Sequence, residues 1–151
     1  MRYRSRFHVA VKTSTNPTKL SDNNLRKVAL KEARATSTLE ACVYLPHLIG
    51  VCLDEPPFKL VIQYGGDITV LKATQERALS RVIPWMKVCR EMVEGVKAIH
   101  RSNIIHNDLK DDNVLLRKNM AFAPLIIDFG KTQELGATKP QRKPPVGKLQ
   151  Q

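Results

Sequence analysis

Apolar residues along this chain fall into short runs parted by polar, proline- and glycine-bearing stretches, and the spacing inside each run names an element. Phe7 to Lys12 (F-H-V-A-V-K) is short, apolar and β-branched, which predicts a strand. Thr13 to Asp22 carries Asn, Pro, Ser and Thr and reads as a loop, with Ser21 or Asp22 placed to cap a following helix. That helix is expected from about Asn23 to Val43, where Leu25, Val28, Ala29, Ala33 and Leu39 interleave with Arg26, Lys27, Lys31, Glu32 and Arg34. His47 to Leu53 and Phe58 to Tyr64 read as two strands joined by a turn at Asp54-Glu-Pro-Pro57, after which Gly65-Gly66 punctuates the chain.

The clearest helix starts at Pro84, a favourable first helical position. Trp85, Val88, Cys89, Met92, Val93, Val96 and Ile99 then recur at the i, i+3, i+4 spacing of one apolar face. Ile104 to Lys118 alternates apolar pairs with polar residues, and Leu125 to Ile127 reads as a buried strand. From about Ala137 onward Pro and Lys dominate, and regular structure is not expected. Strand, helix and two strands come first, then helix and short strands. The pattern predicts an α+β chain in two small lobes that meet at a hinge near Gly65-Gly66 and enclose a cleft.

Composition adjusts this picture in few places. At 151 residues, 42% apolar and 26% charged, the chain suits one soluble domain. Lys plus Arg against Asp plus Glu gives 25 − 14 = +11, an excess that favours acidic partners such as nucleotide phosphates, nucleic acid or an anionic membrane. Part of it sits in Arg2, Arg4, Arg6, Lys139, Arg142, Lys143 and Lys148, which read as solvated flanks rather than a nucleic-acid patch. One Trp, three Tyr and four Phe offer little for stacking bases. Cys42, Cys52 and Cys89 are odd in number and lack a C-x-x-C pair, which suits reduced thiols. No signal-peptide pattern follows Met1, and no apolar run nears the roughly 20 residues of a membrane span, so a cytoplasmic location is expected.

The chemistry concentrates in His106-Asn-Asp-Leu-Lys-Asp-Asp-Asn113, followed by Asp128-Phe-Gly130 beyond a buried strand. This H-x-D-L-K-x-x-N and D-F-G pair resembles the catalytic and metal-binding loops of the protein kinases. Val9-Ala-Val-Lys12 resembles the V-A-I-K strand of the same family. The resemblance implies ATP and Mg²⁺ as cofactors and a protein hydroxyl as acceptor. Asp108 would then be the base, Lys110 would steady the γ-phosphate, and Asn113 and Asp128 would hold Mg²⁺. Lys12 would grip the α- and β-phosphates, held by Glu32 or, as the lesser rival, Glu40. Leu60-Val-Ile-Gln-Tyr-Gly65 resembles the strand entering the kinase hinge. By that likeness Ile62 guards the back of the adenine site, backbone groups of Gln63 and Gly65 bond the adenine edge, and Ala10 and Leu115 sandwich the purine.

The resemblance covers roughly Val9 to Lys131 and implies a partial domain at 1–136, with lobes at about 1–64 and 68–136 and a hinge at about 63–67. No G-x-G-x-x-G precedes Val9, nothing like A-P-E follows Gly130, and an incomplete kinase-like fold is expected. Asn107 stands where the family usually carries an Arg that pairs with an activation-loop phosphate; Asn has neither that charge nor that fork of donors. Three readings follow. The first is a protein kinase or a fragment of one, with Ser/Thr favoured by Lys110 although His47-Leu-Ile-Gly-Val-Cys52 resembles tyrosine kinases. The second is an inactive kinase-like binding module. The third, a small-molecule phosphotransferase of kinase-like fold, is less well served by the Leu-Lys after Asp108 and by the intact D-F-G.

Overall fold

The computed structural model describes residues 8–14, 20–39 and 41–136. Strands β1 (Val9–Thr13), β2 (Leu48–Cys52) and β3 (Lys59–Gln63) form an antiparallel sheet in the order β1-β3-β2. Lys12 pairs with Leu60 and Ala10 with Ile62. Directly paired residues share a face, and alternation puts Ala10 and Lys12 on that same face. Helix α1 (Asp22–Thr38) covers the sheet, packing Leu25, Ala29 and Ala33 at i, i+4 spacing with Leu53, Phe58 and Leu60. Ser21 occupies its N-cap position without a side-chain bond; the Ser21 carbonyl instead accepts from Asn24 and Leu25.

Helix α1 ends at Thr38, short of the expected Val43. Thr36 and Thr38 turn their hydroxyls back onto the carbonyls of Glu32 and Arg34, a contact that weakens late helical turns. Leaving the helix there lets both Leu39 and Leu45 enter a second core with Ile99, Val114, Ile126 and Phe129. Burial therefore overrides a helix propensity that would have run on.

That second core lies beneath α4 (Trp85–Arg101), whose buried face includes Val88, Gly95 and Ile99 and whose N-cap is Pro84. Gly95 lies on this face against Ile126 and Tyr44. A Cβ there would stand 3.0 Å from Ile126 Cδ1 and 3.2 Å from Tyr44 Cβ, so a side chain would crowd both neighbours. Strands β5 (Val114–Arg117) and β6 (Ala123–Ile126) form a hairpin against α4, and β4 (Ile104–Ile105) pairs with β7 (Gln133–Glu134). The expected strand at Leu125 thus begins two residues earlier, and the stretch 104–118 divides around a loop.

Two short helices, α2 (Val70–Gln75) and α3 (Arg77–Val82), have no counterpart in the sequence reading. Six residues are too few for a 3.6-residue period to declare itself. A local signal was present: Thr69 caps α2, its Oγ1 accepting from Lys72 N at 3.1 Å.

Arg117 is buried and spends its guanidinium on backbone carbonyls, donating to Val43 at 2.8 Å, Pro124 at 3.2 Å and Ala123 at 3.4 Å. It ties the chain after α1 to the hairpin. Burial lowers its pKa from the ordinary value. On the outer side of α4, Met86 remains 86% exposed and Val93 52% exposed. Among the described residues no helix is long and apolar enough to cross a membrane. Glu40, the arginines ahead of Phe7 and the basic stretch from Ala137 lie outside the described residues.

Candidate active site

Pairing of Val114 with Ile126 brings together two loops that are distant in sequence. The loop 106–113 enters β5 and Asp128 leaves β6, and Ile127 N donates to Asn113 O at 2.9 Å across the junction. Three side chains organise this junction. His106, buried beside Phe129 with ring centroids 5.0 Å apart, meets Ile127 O through Nε2 at 3.0 Å. Its Nδ1 accepts from Asp108 N at 3.2 Å, which places the ring proton on Nε2. Asn113 donates through Nδ2 to Asp108 O at 2.8 Å and to Asp108 Oδ2 at 3.2 Å. Both of these bonds use nitrogen, so the carboxamide oxygen is left as an available ligand.

Asn107 and Asp128 adopt left-handed backbone, at φ 60° and 68°. Asn and Asp enter that region more readily than most residues, and the Asp128 side chain also accepts from Gly130 N at 3.4 Å. The left-handed turn carries the Asp128 carboxylate to Lys12, whose Nζ bonds both Asp128 Oδ1 and, at 2.7 Å, Glu32 Oε1. The period-2 face of β1 and the inner face of α1 thus converge on the loop after β6. Glu32 is the partner of Lys12.

Electrostatics follow from these contacts. Burial pushes the Lys12 pKa down, but the bonds to Asp128 and Glu32 outweigh it and hold the ammonium above its ordinary value. Burial likewise pushes the Asp128 carboxyl up, and the Lys12 ammonium brings it below the usual carboxylate range. Asp108 is lowered chiefly by Lys131, whose Nζ lies 2.9 Å from Asp108 Oδ1, with Lys110 and Asn113 adding smaller contributions.

Lys131 is the residue that motif reading passed over. It follows D-F-G directly, and the 3-10 turn Phe129–Lys131 swings it onto the carboxylate. Asn107 Nδ2 donates to Lys131 O at 3.3 Å and fixes the backbone of that turn. Lys110 makes no side-chain hydrogen bond among the described residues and acts on Asp108 through its charge.

A cavity of about 270 Å³ is lined by Lys12, Glu32, Asp128, Gly130 and Lys131 among others. The residues expected around adenine lie outside its lining. Ala10 and Ile62 face each other across β1 and β3, and Gly65 lies against Leu115. A Cβ at Gly65 would come within 2.5 Å of Leu125 Cδ2 and 2.9 Å of Leu115 Cδ1, so a side chain there would displace the tips of both leucines. Gln63 N already donates to His47 O at 2.9 Å, so that N–H is committed within the fold.

Comparison with known proteins agrees with this constellation. The family model described as "Protein kinase domain" matches residues 1–148. A "Calcium/calmodulin-dependent serine/threonine-protein kinase" of Malus domestica is 38% identical over 86 residues, 55% of this chain and 20% of that protein. "Receptor-like serine/threonine-protein kinase SD1-7" of Arabidopsis thaliana is 31% identical over 113 residues, 71% of this chain and 13% of the relative. "Mitogen-activated protein kinase kinase kinase dlk-1" of Caenorhabditis elegans is 30% identical over 116 residues, 70% of this chain and 12% of the relative. The matched stretch is therefore a fifth or less of each of these proteins. With the family model spanning almost the whole sequence, this chain belongs to the protein kinase domain family.

Proposed function

We propose that this chain carries the phosphoryl-transfer centre of an ATP-dependent protein kinase that acts on serine or threonine hydroxyls. The observation that carries the reading is the junction of Lys12, Glu32 and Asp128 beside the Asn113–Asp108 pair. The serine/threonine preference draws on Lys110 and on the names of the relatives. In this reading the two lobes divide at about 63–67, with Ala10, Ile62, Gly65, Leu115 and the Gln63 carbonyl around adenine.

The donor set fits Mg²⁺. Among the described residues no group of three or more His, Cys, Asp or Glu could hold a metal by itself. Mg²⁺ is commonly held by one or two protein oxygens plus water and phosphate, and the Asn113 carboxamide oxygen and Asp128 carboxylate are donors of that kind. When bound it neutralises charge on the phosphate oxygens. The residues of the chain supply the rest. Lys12 binds the α- and β-phosphates and is kept in place by Glu32. Asp108, turned by Asn113 and the His106 ring, accepts the proton of the acceptor hydroxyl. Lys110 and Lys131 offer positive charge beside the transferred group.

Two measurements test this. Calorimetry with ATP and Mg²⁺ should give binding that weakens in Asp128→Asn; equal binding by both proteins would remove Asp128 from the metal site. Transfer from labelled ATP to a generic protein substrate should fall by about 10²–10⁴ in Asp108→Asn, the usual worth of a positioned general base. ATP binding without transfer by the unaltered chain would favour the binding-module reading.

A further inference from the structure

A second concavity lies away from the cleft, between α1 and the β4–β7 pair. It encloses about 420 Å³, larger than the catalytic cavity. Its floor includes Leu30, Ala35 and Ile104, and its rim along α1 is Lys27, Lys31 and Arg34. These cations stand at i, i+4 and i+7, one stripe of the helix. All three are exposed, and among the described residues none of them makes an ion pair. Among the described residues Glu134, on the far wall, is the one acid in the lining, and it makes no ion pair there.

We propose that this groove binds an acidic peptide segment of a partner protein, with an aliphatic side chain on the floor and carboxylates on the α1 cations. Charge selects the occupant. Residues 137–151 of the chain itself contain Lys139, Arg142, Lys143 and Lys148 and no Asp or Glu, so they match the rim in sign. A second copy carries the same +11 and is repelled on approach. Among the described residues no aromatic ring lines the groove, so a nucleic acid would find phosphate contacts there but nothing on which to stack a base. A flat anionic membrane would meet the rim and leave the apolar floor uncovered. An acidic segment with one aliphatic anchor satisfies floor and rim together. None of the proposed catalytic residues lines this groove, so the proposal stands apart from phosphate transfer.

The test uses fluorescence anisotropy on the full 151-residue chain. The probe is a labelled peptide of about twelve residues, rich in Glu with one central Leu. The groove pair Lys31→Glu/Arg34→Glu is compared with Lys72→Glu/Arg77→Glu, which changes the charge equally at exposed positions on α2 and α3. Thermal melts confirm that each variant folds. The expected result is binding that weakens by about tenfold or more in the groove pair and by less than about twofold in the remote pair. Replacing the central Leu of the probe by Ser should weaken binding to the unaltered chain as well. Equal losses in the two pairs would reduce the effect to net charge and overturn the proposal. So would no measurable binding of the probe, indifference to its Leu, or a single-stranded oligonucleotide showing the same dependence on the groove pair. Self-association of the chain that the groove pair abolishes would assign the surface to a second copy and likewise overturn it.

Discussion

Helix α1 presents two faces that treat charge in opposite ways. On the inner face Glu32 is buried and meets Lys12, which in turn meets Asp128, so signs alternate and each group has a partner. On the groove face Lys27, Lys31 and Arg34 share one sign and none is paired within the described chain. The difference teaches what each set does. Alternating, part-buried charges cost desolvation and repay it through fixed geometry, so they position a site. Like charges in water cost little and carry potential outward, so they suit recognition.

The largest effect that separates the faces should come from Glu32→Gln. Removing one partner of a buried ion pair costs about 3–5 kcal/mol. Here the Lys12 side chain keeps 42% of its surface and still has Asp128, so solvent screening reduces the loss. We expect about 2 kcal/mol of stability by urea titration, together with weaker ATP binding, since Lys12 loses its support. A loss below about 0.5 kcal/mol would place the inner face in the same class as an ordinary surface.

Gly65→Ala should cost about 1–2 kcal/mol by crowding Leu115 and Leu125, with the largest change in nucleotide affinity if adenine rests there. Unchanged stability and ATP binding would separate the backbone at Gly65 from nucleotide binding.

The pH dependence of Lys12→Met sharpens the same contrast. Lys12 is raised above its ordinary 10.5, so its contribution is complete below that value and is lost as pH rises through the raised one. Asp128 is depressed below its ordinary 3.8, so its contribution is present above that value and is lost as pH falls through the lowered one. The stability gap between unaltered chain and Lys12→Met should therefore be flat between these limits and narrow beyond each. A gap constant across both limits would mean that the cleft charges are not coupled.

Much of this geometry was legible in the chain. The order V-A-V-K, H-N-D-L-K-D-D-N, D-F-G pointed to residues that do meet, because a strand, a loop and one hairpin suffice to assemble them. Sheet strands β2 and β3 fell within a residue or so of expectation, because alternation and the turn at Asp54–Pro57 bound them locally. What escaped was set by tertiary contacts. The end of α1 depends on burying Leu45, which sequence periodicity does not encode. Lys131 became a partner of Asp108 through a turn whose left-handed start at Asp128 leaves no pattern in hydropathy. The Gln63 N–H was committed to His47, a residue one position outside β2. Helices α2 and α3 are simply too short for periodicity to reveal.

The smallest expected effect is the most direct test of the groove face. Lys31 is exposed, and Lys27 lies one helical turn before it. Like charges at i, i+4 destabilise a helix by a few tenths of a kcal/mol, and an opposite pair stabilises it by about 0.2–0.5 kcal/mol. Lys31→Glu removes the repulsion from Lys27 and creates attraction, and Arg34, three residues on, gains an acidic neighbour too. If the cations serve recognition and not folding, the substitution leaves the chain as stable as before or more so, by about 0.5 kcal/mol or less. Urea titrations of Lys31→Glu and Glu32→Gln, adjacent positions on one helix, should therefore move in opposite directions or differ several-fold in size. A loss in Lys31→Glu as large as in Glu32→Gln would show that the groove face holds the fold together, and the division between the two faces would fail.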